Sequence, residues 1–321
     1  MKIFVTRTIP NAGILKLTEE GHEVVVHDGP VPLSPSELVA TLNEHNPDAV
    51  LCLLTDKIDA TVFDAAPHAK VFANYAVGFD NIDLTAAKER GVLITNTPDV
   101  LTEAVAEYTV SLILALGRRV VESDHFLREG NYHGWEPLLL LGTELKGKTL
   151  GIVGCGRIGR RVAEIMHRGF GMKIIYHDRT ENEELETVLH ATYAPELSTL
   201  LLQADVVSIH LPLTEGTHHL FNEDLLRTMK PSALLINTAR GPIIDEVALA
   251  RALTEGVIAG AALDVFEKEP DVHADLLAAP NTILTPHLGS ATNEARNAMS
   301  VVAAENILAA LHGETPPNLI S

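Results

Sequence analysis

Three side chains in the C-terminal part of the chain could serve one reaction. Arg240 lies in Asn237-Thr238-Ala239-Arg240-Gly241, and His287 lies in Thr285-Pro286-His287-Leu288-Gly289. Glu269 belongs to the acidic stretch Asp264-Val265-Phe266-Glu267-Lys268-Glu269-Pro270. A guanidinium presents a planar fork that grips a carboxylate through two hydrogen bonds and polarises a neighbouring carbonyl. An imidazole transfers protons near neutral pH. A carboxylate behind the ring would orient it and favour its protonated form, and Glu269 and Asp264 are both candidates. Each residue alone has an ordinary explanation: one histidine of 15, an interdomain ion pair, an exposed turn before proline. Their combination points to a site.

A second feature is Gly154-Cys155-Gly156-Arg157-Ile158-Gly159. A glycine triplet alone is weak, but here the strand-like run Thr149 to Val153 precedes it and an amphipathic helix follows. The first glycine permits a tight turn, the second lets backbone approach a pyrophosphate, and the third lets helix and strand pack closely. The helix N-terminus offers free N–H groups to phosphates, and Arg157 adds a charge. The next strand-like run ends at Asp178, at the spacing of about 20 residues that suits an acid on the ribose hydroxyls. Such an acid repels a 2′-phosphate, so NAD is expected. Arg179 and Thr180 keep NADP open, because an arginine there can turn towards a phosphate. An anion clamp, a proton donor and a hydride-carrying dinucleotide are the set that reduction of a 2-oxo acid requires.

Short apolar runs alternate with helical stretches along the chain, the mark of βαβ units on parallel sheets. Strands are expected at Ile3–Thr6, Glu23–His27, Ala49–Leu53, Val71–Tyr75 and Val92–Asn96, with a helix over Ser36–Glu44. A long apolar helix is expected over Thr102–Leu116. A second series of six strands begins at Thr149 and continues with Lys173–His177, Asp205–Ile209, Ala233–Asn237, Ile258–Leu263 and Thr282–Leu284. In such sheets ligands sit beyond the carboxyl ends of the strands. Those ends carry the glycine loop, Asp178, His210 with Leu211 and Pro212, Arg240, Asp264 and His287. Residues 117 to 147 fall outside this rhythm and hold the only tryptophan, Trp135, beside Leu138 to Leu141. They read either as an arm packed on another subunit or as a loop on their own core. Ala291–Leu311 reads as one long helix returning to the first domain.

A length of 321 residues suggests about two domains. The formal charge of −19 disfavours nucleic acid and anionic membranes as partners. No apolar run reaches the roughly 18 to 20 residues of a membrane helix, and the N-terminus enters a strand rather than a secretion signal. Cys52 and Cys155 fall in different domains, so no disulfide is expected and a reducing cytoplasm fits. No metal site is expected.

Over nearly its whole length the chain resembles the D-isomer-specific 2-hydroxyacid dehydrogenases. The motifs are Asn74-Tyr75-Ala76-Val77-Gly78-Phe79-Asp80-Asn81-Ile82-Asp83, the glycine loop, Asn237 to Gly241, Asp264 to Pro270, and His287-Leu288-Gly289-Ser290-Ala291. Leu53-Leu54-Thr55-Asp56 and Trp135-Glu136-Pro137-Leu138 look most like the glyoxylate/hydroxypyruvate reductases, also called glycerate dehydrogenases.

The resemblance implies an α/β fold in which a Rossmann-type doubly wound parallel sheet is inserted into a smaller flavodoxin-like substrate domain. Residues 1–98 and 290–321 would form the substrate domain. Residues 99–289 would bind NAD, with a dimerisation arm at about 117–147 and Trp135 reaching the partner's site in a homodimer. It also implies that Arg240 binds the substrate carboxylate and carbonyl and that His287 donates the proton with Glu269 behind it. Val77, Gly78 and Leu54 would meet the substrate. Gly154, Gly156, Arg157, Ile158, Gly159, Asp178, Arg179, His210, Leu211, Pro212, Thr238, Ala239, Asp264, His287 and Gly289 would lie along the cofactor.

The implied activity is NAD(P)H-dependent reduction of glyoxylate or hydroxypyruvate to glycolate or D-glycerate. Related acids such as 2-ketogluconate are alternatives. Phosphoglycerate is disfavoured, because no basic residue stands at Leu53 to Leu54. Formate dehydrogenases pair their histidine with Gln, where this chain has Glu269. NAD-sensing corepressors of the same fold carry added binding segments, which are not evident here. Proton donation by His287 makes reduction slow as pH rises.

Overall fold

The computed structural model describes residues 1–321. The chain divides into two compact units, Met1–Leu101 with Ser290–Ser321, and Thr102–Gly289. The first division falls past the expected Pro98, immediately before the helix that opens at Thr102.

The first unit holds strands β1 (Lys2–Val5), β2 (Glu23–Val26), β3 (Ala49–Cys52), β4 (Val71–Asn74) and β5 (Leu93–Thr95). All pairings are parallel, in the order β2-β1-β3-β4-β5. That is the flavodoxin-like order, with its reversal between β1 and β3. Every residue of β3 and β4 is buried, as strands covered on both faces must be. The helix Pro35–His45 runs one residue past the expected Ser36–Glu44 at each end: Ser34 and Glu37 form a reciprocal capping box with proline in the first turn. The last helix, Asn293–Leu311, starts later than Ala291, because the Thr292 side chain accepts the Ala295 N–H and caps it. It packs on the helix Asn11–Glu19 at Gly13. A β-carbon there would stand 2.0 Å from the Ser300 carbonyl oxygen.

The second unit holds β6 (Thr149–Val153), β7 (Lys173–His177), β8 (Thr192–Tyr193), β9 (Val206–Ile209), β10 (Leu234–Asn237), β11 (Gly260–Leu263) and β12 (Thr282–Leu284). They form one parallel sheet in the order β12-β11-β10-β9-β6-β7-β8. It has seven strands, not six. The extra one, β8, is a two-residue edge strand, too short to show any alternation. This is the Rossmann order, with its switch point between β6 and β9.

The helix Thr102–Gly117 packs on β10, β11 and the helix Arg157–Phe170. The latter buries Val162, Ala163 and Met166. Full burial of such valine or methionine side chains contributes roughly 1.5–3 kcal/mol each.

Between Gly117 and β6 the chain forms an exposed helix, Val120–Arg128, with no buried residue. Trp135 is 82% exposed and Leu138 79%, whereas Leu145, near the end of the stretch, is buried in the unit's own core. No helix is long and apolar enough to cross a membrane. Both cysteines are free and buried.

Candidate active site

Gly154 leaves β6 at φ +96°, a conformation open chiefly to glycine. A β-carbon on it would meet the His210 carbonyl oxygen at 2.6 Å, so the loop is pressed against the end of β9 at the switch point. A β-carbon on Gly159 would stand 2.2 Å from the Gly154 carbonyl oxygen. Gly156 is different: it is exposed, and a β-carbon on it would meet nothing. It caps the helix Arg157–Phe170 with no side-chain hydrogen bond, so the first-turn N–H groups are not claimed by a capping side chain. A bare backbone turn with open space over its middle glycine and a positive helix end fits a dinucleotide pyrophosphate. Arg157 is exposed and Ile158 half-buried at the start of that helix.

Asp178 closes the other side of the loop. Its carboxylate accepts the Cys155 N–H at 2.7 Å and the Arg179 N–H at 2.7 Å. The acid is thus fixed to the glycine turn at the end of β7, with the Arg179 side chain exposed beside it. Burial first, and then the Asp178 charge, push the Cys155 thiol far above its ordinary range. His210 sits at the end of β9 with ring Nε2 2.8 Å from the Ser208 hydroxyl. Burial of the ring pulls its pKa down to about 3, so it is neutral in use. Leu211 continues along the loop, its side chain 3.0 Å from where a Gly154 β-carbon would be. Pro212 follows at the surface.

The loops after β10, β11 and β12 carry the other candidates. Buried Asn237 shapes the first loop. Its amide nitrogen donates to the Arg240 carbonyl at 2.9 Å, and its oxygen accepts the Ala239 N–H at 3.0 Å. The Thr238 hydroxyl lies 2.8 Å from that of Thr109 on the helix behind. Gly241 lies flat on the next loop: a β-carbon on it would stand 1.9 Å from the Phe266 carbonyl carbon. Arg240 is therefore anchored one residue from a backbone-to-backbone contact with the segment that carries Glu269.

Asp264, buried at the end of β11, organises the third loop. Its carboxylate accepts the Thr285 hydroxyl at 2.7 Å, the Leu288 N–H at 2.8 Å and the Gly289 N–H at 2.7 Å. Its backbone carbonyl accepts the His287 N–H at 2.9 Å. Burial pushes its carboxyl up, against these donors and the nearby His287. The loop holds His287 at φ +55°, a left-handed conformation that a non-glycine residue adopts only under constraint.

The ring Nδ1 of His287 lies 2.9 Å from Glu269 Oε2. The other Glu269 oxygen accepts the Phe266 N–H at 3.1 Å. Burial would raise the Glu269 carboxyl, but hydrogen bonding and charge from His287, the Phe266 N–H and the Arg240 charge outweigh it, and the net shift is downward. So Glu269 stays ionised, holds Nδ1, and leaves Nε2 as the ring atom that can give or take a proton. Glu269 and His287 thus meet directly, and the Arg240 charge acts on Glu269 from the adjoining loop. Of the two carboxylates considered, Glu269 orients the ring, while Asp264 holds the loop that carries it.

A depressed carboxyl pKa adds stability above the ordinary glutamate range, and that stability fades as pH falls through the depressed value. Glu269→Gln should therefore lower the thermal midpoint at neutral pH. The two midpoints should converge below about pH 4. A gap that persists in acid would mean that the pair does not carry the difference.

Leu54, Val77 and Gly78 belong to the first unit, and all three are half-buried. The Asn96 amide donates to the Val77 carbonyl at 2.8 Å, and the Asn74 amide to the Gly78 carbonyl at 2.8 Å. Their N–H groups take no backbone partner. Asn81 donates to the carbonyls of Leu53 and Asp56 and fixes the turn at Leu54. Sequence reasoning missed Thr109, which sits inside the expected helix Thr102–Leu116, and Glu246, at the start of the helix Glu246–Thr254. It missed the amide role of Asn96, which read as the end of a strand.

The family model described as the D-isomer specific 2-hydroxyacid dehydrogenase, NAD binding domain, matches residues 110–289. A glyoxylate reductase of Thermofilum pendens is 51% identical over 323 residues, spanning 100% of this chain and 94% of that protein. Another, of Aeropyrum pernix, is 50% identical over 326 residues, spanning 100% and 96%. An NADPH-dependent glyoxylate/hydroxypyruvate reductase of Sinorhizobium meliloti, solved with NADP and malonate, superposes with a TM-score of 0.87. It is 35% identical, and the match covers 100% of this chain and 96% of that one. A protein of Thermus thermophilus superposes at 0.93 with 46% identity and full coverage of both chains.

Proposed function

Because the chain belongs to the D-isomer-specific 2-hydroxyacid dehydrogenase family and is an NAD(P)-dependent oxidoreductase, we propose that it reduces glyoxylate, and hydroxypyruvate alongside it, with NADH. The single observation that carries this reading is the Arg240–Glu269–His287 cluster on the same strand-end rim as the glycine loop.

The guanidinium of Arg240 grips the substrate carboxylate and polarises the 2-oxo group. His287 delivers a proton from Nε2 to the carbonyl oxygen and is left as neutral imidazole, while Glu269 keeps Nδ1 and stabilises the charged ring before transfer. The nicotinamide, when bound, supplies the hydride to the carbonyl carbon. Proton and hydride together convert C=O to CH–OH. Leu54 and the N–H groups of Val77 and Gly78 are assigned to the substrate, and Thr238, Ala239, Asp264 and Gly289 to the cofactor side.

Asp178 supports the preference for NADH, since a carboxylate fixed to the glycine turn repels a 2′-phosphate. Steady-state kinetics on glyoxylate, hydroxypyruvate and larger 2-oxo acids with both reduced cofactors test the assignment. Loss of reduced-nicotinamide absorbance should be fastest with the two small acids and NADH. No oxidation with any of them sinks the proposal.

The exposed Trp135, Leu138 and Leu141 support a homodimer formed through residues 117–147. Light scattering should give twice the chain mass of 34.6 kDa, and Trp135→Asp with Leu138→Asp should shift it to the monomer. An unshifted dimer would place the interface elsewhere. Two free, buried thiols suit a reducing, cytoplasmic setting.

A further inference from the structure

Glu246 opens the helix Glu246–Thr254 behind the site and is only 5% exposed. A buried carboxylate needs hydrogen-bond donors. Its donors all come from the segment that carries Glu269. Oε1 accepts the Glu267 N–H at 2.6 Å, and Oε2 accepts the His273 N–H at 3.2 Å. The contact is reciprocal: Glu267 Oε1 accepts the Glu246 N–H at 2.8 Å. That N–H is one of the free donors of the helix end, and the Asp245 side chain separately accepts the Ala248 N–H. His219 Nε2 lies 3.2 Å from the remaining Glu267 oxygen. The bonds at 267 and 273 bracket Glu269, and the backbone at Phe266 and Glu267 is pressed on Gly241. The segment is thus held on one side by the loop of Arg240 and on the other by Glu246.

We propose that Glu246, clasped with Glu267, is a positioning residue for proton transfer: it sets the distance from Glu269 to His287 without touching substrate or cofactor. The inference rests on the assignment of Glu269 and His287 as the proton-delivering pair. With the clasp loosened, the carboxylate drifts from the ring, the protonated imidazole loses support, and reduction fails at lower pH. Displacements of about an ångström behind a site can cost as much as 100-fold in rate.

The test is the pH profile of kcat, with KM for both substrates and the thermal midpoint, in Glu246→Gln, Glu246→Ala and the reference Glu269→Gln. In Glu269→Gln the alkaline limb should move down by roughly one pH unit, the scale of a lost neighbouring charge. Glu246→Gln keeps the side-chain size but turns one donor-facing atom into a donor. It should move the limb the same way by part of that amount and lower kcat roughly 10-fold, with KM for the reduced cofactor unchanged. If Glu246→Ala does not fold, Glu267→Gln breaks the clasp from its other end and should give the same result. A folded Glu246→Gln whose limb and kcat match the parent, while Glu269→Gln moves both, overturns the clasp. If Glu269→Gln moves neither, the proton-donor assignment has failed instead. A lowered thermal midpoint with an unmoved limb makes Glu246 merely structural and also overturns the proposal.

Discussion

Replacing His287 should lower kcat for glyoxylate by about 10²- to 10⁴-fold, the range that a positioned general acid supplies. The side chain sits at φ +55°, so the choice of replacement matters. Alanine there removes the proton donor and also strains the backbone. Asparagine tolerates the left-handed conformation and still cannot protonate the carbonyl, so His287→Asn is the cleaner variant. The glycine loop and Asp178 are untouched by it. Fluorescence titration of the reduced cofactor should therefore return an affinity close to the parent's. A variant that keeps turnover within a few-fold would remove His287 from the role of acid. One that loses cofactor binding equally would show that the loop after β12 serves the nucleotide first.

Arg240→Lys should cost nearly as much, and it separates charge from shape. Lysine keeps the positive charge that helps to hold Glu269 ionised, but it loses the planar fork. Breaking one side of a desolvated, hydrogen-bonded charge pair costs about 2–5 kcal/mol, or roughly 30-fold to several thousand-fold in kcat/KM. The loss should appear against both small 2-oxo acids. The thermal midpoint should move little, because the Asn237 amide brackets the loop and the guanidinium adds only its bond to the Ala239 carbonyl at 2.8 Å. Near-parent kcat/KM in Arg240→Lys would mean that a point charge suffices and that the carboxylate is gripped elsewhere.

The strands, the strand-end residues and the glycine turn were legible because each rests on short-range chemistry. A glycine at φ +96° and a strand of consecutive buried residues leave marks within a few positions of themselves. Residue types and spacing left the partner of His287 as a choice between two acids, since spacing does not say which carboxylate reaches a ring, and only the family resemblance pointed to Glu269. The structure divides the work: Asp264 ties the loop through three donors, and Glu269 meets Nδ1. Glu246 was illegible because a glutamate in a helix's first turn is what helix electrostatics favours anyway. Its burial comes from a segment some 20 residues away. The strand β8 was missed because two residues cannot display a period.

The contact of Gly241 with Phe266 bears on how this site can change over generations of sequence. Arg240, proposed to grip the acid, and Glu269, proposed to steady the proton donor, stand on loops that meet backbone to backbone, with no side chain between them to trim or enlarge. A pocket lined by side chains can be retuned for a bulkier substrate one substitution at a time. This junction cannot, because its spacing is the thickness of two peptide planes. Variation in what the protein accepts is therefore directed away from this junction. The distance between carboxylate grip and proton delivery is the part of the reaction least open to drift.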